Sequence, residues 1–128
     1  MIYLDTSVVL ARLFAEPRSP TDDFWSLTFT SSRLLEYEVM NRLHARVPSS
    51  VLLEDASDML DKFILLELSP EILSRAMLPF PAQVGTLDGL HLATMVYLRR
   101  NSQTIELATY DQRLAQGAMA LGFSLTTL

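Results

Sequence analysis

The amino-terminal segment of the chain reads Met1-Ile2-Tyr3-Leu4-Asp5-Thr6-Ser7-Val8-Val9-Leu10-Ala11-Arg12-Leu13-Phe14. Its residues 2–4 form a short β-type run, and the apolar residues 8–14 predict a helix. Between them lie carboxylate and hydroxyl side chains of the kind that cap the amino terminus of a helix. The segment therefore predicts a strand that passes directly into a helix, with Asp5 at the junction.

The same alternation of strands and helices continues along the chain. Further strands are predicted at residues 28–30, 63–68, 106–110 and 123–125. Helices are predicted at residues 24–27, from 31 or 32 to about 46, at 50–60, from 70 onward, from 86 to about 99, and from a cap at Asp111 to 121. Strands that alternate with helices imply a mostly parallel sheet that is covered on both faces. The chain is therefore expected to belong to the α/β class.

Length and composition restrict the function classes. The 128 residues fit one domain, so we expect a single domain over residues 1–128. No apolar run approaches the roughly 20 residues of a membrane-spanning helix, and the start lacks the pattern of a secretory signal, so we expect a cytoplasmic protein. The absence of cysteine excludes disulfides, thiolate zinc sites and thiol nucleophiles. A net charge of −5 argues against nonspecific nucleic-acid binding through a basic surface, although it leaves room for a local basic groove.

Four acidic side chains lie within or next to apolar runs: Asp5, Glu38, Asp88 and Asp111. Asp5 and Asp111 each follow a predicted strand, and the ligand site of a parallel sheet lies beyond the carboxyl ends of its strands. Glu38 and Asp88 lie in predicted helices from which they can reach the same place. Carboxylates in apolar surroundings are costly unless a cation joins them. The pattern therefore predicts a site for a hard metal ion such as Mg²⁺ or Mn²⁺.

Such a site predicts metal-assisted hydrolysis of a phosphodiester, because the ion lowers the pKa of a bound water and stabilises charge on the phosphoryl oxygens. We predict Asp5, Asp88 and Asp111 as metal ligands, with Glu38 as a further catalytic residue. Each residue also has a structural interpretation. Asp5 and Asp111 can simply cap helices, Glu38 can pair with Arg42 four residues on, and Asp88 suits the first turn of a helix.

Several neighbouring polar residues are candidates for supporting roles. Thr6 or Ser7 can orient Asp5 or a metal-bound water, and Thr109 is similarly placed before Asp111, although helix capping explains the first two hydroxyls as well. His91, one turn after Asp88, can hydrogen-bond that carboxylate, but a packed structural histidine is the simpler interpretation. Three arginines are candidates for contacts with substrate phosphate, namely Arg12, Arg42 and Arg113.

The ordered set of motifs resembles the PIN domains of the VapC type, the toxin half of a toxin–antitoxin pair. The matching segments are Tyr3-Leu4-Asp5-Thr6-Ser7, Glu38-Val39-Met40-Asn41-Arg42-Leu43, Leu87-Asp88-Gly89-Leu90-His91-Leu92-Ala93-Thr94 and Thr109-Tyr110-Asp111-Gln112-Arg113-Leu114. The resemblance implies a three-layer α/β/α sandwich and a Mg²⁺- or Mn²⁺-dependent endoribonuclease. It assigns the conserved acidic residues of the family to Asp5, Glu38, Asp88 and Asp111. Gly89 departs from the alanine that is common in the family, but it removes no ligand.

The resemblance also implies binding partners. These are an RNA substrate, a VapB-like antitoxin that wraps the toxin and fills its acidic site with a basic side chain, and a second copy of the chain in a homodimer. The apolar residues Leu13, Phe14, Phe24 and Trp25 form either core or part of an exposed groove for a partner helix. Two other functions remain open: a PIN-like module that only binds a partner, and an aspartate-nucleophile phosphohydrolase, which Ser7 and the single lysine, Lys62, disfavour.

Overall fold

The computed structural model describes residues 1–101 and 103–128. Within these residues, strands and helices alternate along the chain, and a short 3₁₀ helix at Phe24–Ser26 precedes the second strand. The five strands are β1 (Ile2–Leu4), β2 (Phe29–Ser32), β3 (Ile64–Leu66), β4 (Glu106–Ala108) and β5 (Ser124–Leu125). The six α-helices are α1 (Thr6–Leu13), α2 (Arg33–His44), α3 (Ser50–Leu60), α4 (Pro70–Ala76), α5 (Thr86–Arg100) and α6 (Gln112–Ala120).

The strands form one sheet with the order β3-β2-β1-β4-β5, in which every neighbouring pair is parallel. The predicted mostly parallel sheet is thus confirmed. The chain builds outward from β1 in both directions, through β2 and β3 on one side and through β4 and β5 on the other. A sheet of this kind has its ligand crevice where the strand order reverses, beyond the carboxyl ends of the strands. Here that point lies between β1 and β4, directly before Asp5 and Asp111.

Successive residues of β1 point to opposite faces of the sheet and enter two different cores. Leu4 packs with residues of α1, α2 and α3, whereas Tyr3 packs with residues of α5 and α6. The protein is therefore a three-layer α/β/α sandwich, as predicted. Helix α5 is buried along most of its length, which fits its apolar sequence. Among the described residues, no helix has the length and apolarity needed to cross a membrane.

Two strands differ from the sequence prediction. β4 ends at Ala108 rather than at residue 110. Beyond Ala108, backbone amides bond to side chains instead of to a neighbouring strand, since the Tyr110 N–H donates to the Ser7 hydroxyl and the Asp111 N–H to the Thr109 hydroxyl. The run 63–68, predicted as a buried strand, forms only β3. This strand lies at the edge of the sheet, so Ile64 is half-exposed.

Candidate active site

A cavity of about 250 Å³ lies at the carboxyl ends of β1 and β4. The structure brings all four predicted acidic side chains to its wall: Asp5, Glu38, Asp88 and Asp111. The other lining residues are Thr6, Ser7, Leu10, Tyr37, Asn41, Arg42 and Leu87. Carboxylates from positions far apart in the sequence therefore share one small volume.

Asp5 is buried and is held through one of its two oxygens. Its Oδ2 accepts hydrogen bonds from the Ser7 amide at 3.3 Å, the Ser7 hydroxyl at 2.5 Å and the Thr109 hydroxyl at 2.7 Å. Oδ1 takes part in none of these bonds, so it remains available to a ligand. Ser7 and Thr109 thus orient Asp5, while the same Asp5 caps α1.

Glu38 is held in the same way, but by different partners from those predicted. Its Oε1 accepts the Thr6 hydroxyl at 3.1 Å and lies 2.6 Å from Nε2 of His91. Thr6 therefore contacts Glu38 rather than Asp5, and His91 reaches Glu38 rather than Asp88. Within the described residues, the partner of Glu38 is His91, and Glu38 forms no ion pair with Arg42. The second carboxylate oxygen, Oε2, has no part in these bonds.

Asp111 caps helix α6 and still has an uncommitted oxygen. Its Oδ1 accepts the amides of Arg113 at 2.9 Å and Leu114 at 3.2 Å, as a helix cap does. Oδ2 is not used by the cap. The capping and metal-binding interpretations of the sequence are therefore compatible for this residue.

Replacement of Asp111 can separate these two roles. Asp111→Ala removes both acceptor bonds and is expected to lower the free energy of unfolding by about 1 kcal/mol, whereas Asp111→Asn keeps a capping oxygen and should cost only a few tenths. Denaturant unfolding measures the difference. Equal losses for the two variants would mean that charge, and not the cap, accounts for the stability contributed by Asp111.

Asp88 is the carboxylate of the site that burial and neighbouring negative charges disfavour most clearly in its ionised form. It lies partly buried in the first turn of α5, and its side chain makes no hydrogen bond within the described residues. Burial raises the pKa of the Asp88 carboxyl, and repulsion from Asp111 and Asp5 raises it further. This repulsion shows that the carboxylates interact through the cavity.

The donor set fits a hard cation. In the part of the chain that the structure describes, no lysine or arginine forms an ion pair with any of the four carboxylates, although Arg42 lines the cavity. Oxygen ligands that repel one another and lack a basic partner are suited to Mg²⁺ or Mn²⁺. No three acidic or histidine side chains of the described residues already form a closed cage. Cation binding would therefore require movement of some of these side chains.

The raised pKa of Asp88 makes stability depend on pH. The folded chain binds this proton more tightly than the unfolded chain, so the free energy of unfolding falls as the pH rises from the ordinary carboxyl pKa through the raised one. In chelator at pH 7, Asp88→Asn is expected to raise the unfolding midpoint, and at about pH 3 the gain should vanish. The exposed Asp58→Asn is the control. A loss of stability at pH 7 would instead show that the favourable charge in the first turn of α5 outweighs the repulsion.

The arginines predicted to approach phosphate lie in three different places. Arg42 lines the acidic cavity, and Arg113 lines a neighbouring small pocket. Arg12 pairs with Asp22 at 3.1 Å and stacks on Trp25, and it does not line the acidic cavity. Of the three arginines, Arg42 is therefore the one placed beside the carboxylates.

Tyr3 is a polar residue of the site region that the sequence analysis missed. It is fully buried in β1, and its hydroxyl lies 2.7 Å from Nδ1 of His91. One signal in the sequence could have indicated it. A tyrosine in a buried central strand needs a partner for its hydroxyl, and such partners are polar groups in the interior.

The geometry agrees with comparisons to known proteins. A family model described as "PIN domain" matches residues 2–118. The chain is 33% identical to "Ribonuclease VapC47" of Mycobacterium tuberculosis, over 96% of this chain and 93% of that protein. This chain is a PIN domain of the VapC family. A second relative, "Ribonuclease VapC35" of the same species, is 32% identical over 98% of this chain and 95% of that protein.

A solved structure supports the fold of this VapC-family PIN domain. PAE2754 from Pyrobaculum aerophilum superposes with a TM-score of 0.53 at 22% identity, and the match covers 91% of this chain and 84% of that one. At this level of identity the similarity concerns the fold alone. The family predicted from the ordered motifs is thus confirmed by both sequence relatives, and its fold by the solved structure.

Proposed function

We propose that this chain is a divalent-metal-dependent endoribonuclease and the toxin of a type II toxin–antitoxin system. The observation that carries the proposal is the convergence of four carboxylates on one cavity in which none of them pairs with a lysine or arginine among the described residues. The ribonuclease names of the two curated relatives support RNA as the substrate class. Because cellular RNA is the proposed substrate, the cytoplasm is where this activity would operate.

In this proposal, Asp5, Asp88 and Asp111 hold Mg²⁺ or Mn²⁺, and Glu38 accepts the proton of the attacking water. When bound, the ion supplies positive charge opposite the phosphoryl oxygens and lowers the pKa of water. The protein's own contribution is orientation. Ser7 and Thr109 fix Asp5, and Thr6 fixes Glu38, each through one oxygen, so that the other oxygen is left for a ligand.

The proposal is tested by incubating the purified protein with structured RNAs in Mg²⁺, in Mn²⁺ and in EDTA. Internal cleavage in the presence of either ion, and none in EDTA, is expected. Absence of cleavage together with tight binding of a partner protein would favour the binding-only module. Absence of divalent-ion binding by calorimetry would reject the metal centre itself.

The proposed antitoxin site is a groove of about 530 Å³ between α1, the 3₁₀ helix and α3. Its apolar lining includes Leu13, Trp25 and Met59, and its lining also includes the carboxylates of Asp55 and Asp58. Phe14 and Phe24 pack against the adjacent core, so the apolar cluster predicted from the sequence supplies both core and groove. Arg12 and Lys62 also line the groove, so an amphipathic helix with an apolar face and charged residues of both signs complements this surface. We propose that a VapB-like antitoxin occupies it.

A homodimer is proposed through the apolar surface of α4 and the start of α5. This surface includes Leu73, Met77, Phe80, Val84 and Leu90, and 79% of Met77 is exposed. Because burial of exposed apolar side chains drives association, Met77→Asp is expected to shift the dimer to monomer at micromolar concentration. Light scattering after gel filtration measures the mass. An unchanged dimer for Met77→Asp would place the interface elsewhere, and the exposed Met119→Asp is the matched control.

A further inference from the structure

A chain of buried polar groups runs from the sheet to the acidic cavity. The Ser32 amide donates to the Tyr3 hydroxyl oxygen at 3.1 Å, this hydroxyl lies 2.7 Å from Nδ1 of His91, and Nε2 of His91 lies 2.6 Å from Glu38. Tyr3 is 0% exposed and the side chain of His91 1%, whereas that of Glu38 is 19% exposed. This series of hydrogen bonds therefore begins in the buried interior and ends at the wall of the acidic cavity.

The direction of the hydrogen bonds follows from counting protons. A phenol is protonated at neutral pH, so the Tyr3 hydroxyl has a proton to donate. An ionised carboxylate can only accept, so Nε2 of His91 is the donor in the 2.6 Å contact with Oε1 of Glu38. In the tautomer with its proton on Nε2, Nδ1 accepts, and the Tyr3 hydroxyl, whose oxygen accepts the Ser32 amide, donates to it.

We propose that His91 is a positioning residue that acts through Glu38, its imidazole being held in place by the hydroxyl of Tyr3. This inference rests on the proposed nuclease function. The Nε2–H donor and the Thr6 hydroxyl together occupy Oε1 of Glu38 and leave Oε2 for the reaction. Asp111 takes both of its donors, and Asp5 two of its three, from within three residues along the chain, but Glu38 lies in the middle of α2, where the backbone amides are used by the helix. Its orientation therefore needs donors from other elements, and α5 and α1 supply them.

Packing alone does not explain His91. A buried imidazole places two nitrogens in an apolar interior, and each needs a hydrogen-bond partner because an unsatisfied buried polar group is destabilising. Both partners are present, and they come from two different elements, β1 and α2. An apolar side chain of similar size would fill the space without this requirement. The polar link is therefore the property that distinguishes histidine at this position.

The first test does not depend on catalysis. The chain has two histidines, so His44→Gln, at an exposed position of α2, assigns the His91 signals. In metal-free protein at neutral pH, long-range ¹H–¹⁵N spectra should show His91 as the Nε2–H tautomer, with its N–H proton shifted downfield by the carboxylate. Glu38→Gln should abolish the downfield shift, whereas Tyr3→Phe should keep the proton on Nε2 and move the Nδ1 resonance, because Nδ1 loses its donor. A dominant Nδ1–H tautomer in the unmodified chain, which has no Nε2 proton to donate to Glu38, would overturn the proposal.

The second test uses RNA cleavage. His91→Phe removes the donor, and we expect kcat to fall by about 10- to 100-fold with KM changed by less than about threefold, as for other residues that orient a functional side chain. His91→Gln, whose amide can replace Nε2–H, should recover part of the loss. In a Glu38→Gln background, His91→Phe should have little further effect.

The outcomes separate the two proposals. An equal loss from His91→Phe in both backgrounds, or no loss in either, would overturn the positioning role. If the unmodified protein cleaves no RNA, the proposed function fails and the spectra alone decide the hydrogen-bond chain. If His91→Phe does not fold, Tyr3→Phe, which removes the group that holds the imidazole, is compared in the same two backgrounds.

Discussion

Asp5→Asn is expected to reduce RNA cleavage by about 10²- to 10⁴-fold, because loss of a metal ligand removes several kcal/mol of transition-state stabilisation and each 1.4 kcal/mol is a factor of ten. The substitution is nearly isosteric. The amide oxygen can still accept from Ser7 and Thr109 in place of Oδ2, so α1 keeps its cap. The amide NH₂ is then directed to the cavity, where it offers a cation hydrogens instead of a lone pair.

The measurement pairs single-turnover cleavage with a thermal midpoint for each variant. Asp23→Asn, at an exposed position whose side chain does not cap the neighbouring helix, is the matched control and should cleave like the unmodified chain. Expression in a bacterial host gives a second readout, in which growth arrest should be relieved by Asp5→Asn alone. Cleavage by Asp5→Asn at the unmodified rate would reject the assignment of Asp5 as a metal ligand.

Leu92→Ala is expected to lower the free energy of unfolding by about 2–5 kcal/mol, the range for a fully buried leucine that leaves a cavity. Leu92 is 0% exposed on α5 and packs against α6 at Gly117. A Cβ at position 117 would lie 2.9 Å from Cδ1 of Leu92 and 3.0 Å from Cγ1 of Val84. Glycine at this position therefore lets α5 and α6 approach closely.

The same geometry predicts coupling between the two positions. Gly117→Ala gains about 1 kcal/mol of helix propensity, but its added methyl meets Leu92 and Val84. In the Leu92→Ala background the shorter of these two contacts is removed and the contact with Val84 remains. We expect a coupling energy of roughly 1 kcal/mol in favour of the double variant, from denaturant unfolding of the full cycle. Gly85→Ala is the control, since nothing lies near its added Cβ, and it should be additive with Leu92→Ala. If the effects of Gly117→Ala and Leu92→Ala on the free energy of unfolding simply add, α5 and α6 move apart to admit the methyl group at position 117.

The sequence predicted the parts of the site that depend on topology. A parallel sheet places the residues after its strands at one edge, so the positions of Asp5 and Asp111 followed from the alternation of strands and helices. Their helix caps were also predictable, because a cap depends on residues within one turn. The convergence of Glu38 and Asp88 depends on how α2 and α5 pack, and the family resemblance supplied what periodicity could not.

Contacts between distant residues were beyond the sequence. His91 and Glu38 are far apart along the chain, and their 2.6 Å contact requires α2 and α5 to meet at the end of the sheet. Local spacing instead indicated Arg42 as the partner of Glu38 and Asp88 as the partner of His91, because residues three or four apart share a helix face. Similarly, the apolar run around Ile64 predicts burial, but a strand at the edge of a sheet has one side without a neighbour.

The central position of β1 has a consequence for biosynthesis. β1 pairs with β4, so the second residue of the chain aligns with Glu106, and Asp5 lies beside Asp111 only after this pairing. Pairing over such a sequence distance is slow and comes late, because the loop must close before any contact rewards it. A nascent chain therefore lacks part of its acidic cavity until β4 and Asp111 have emerged from the ribosome. Synthesis itself would delay the proposed nuclease activity until that point.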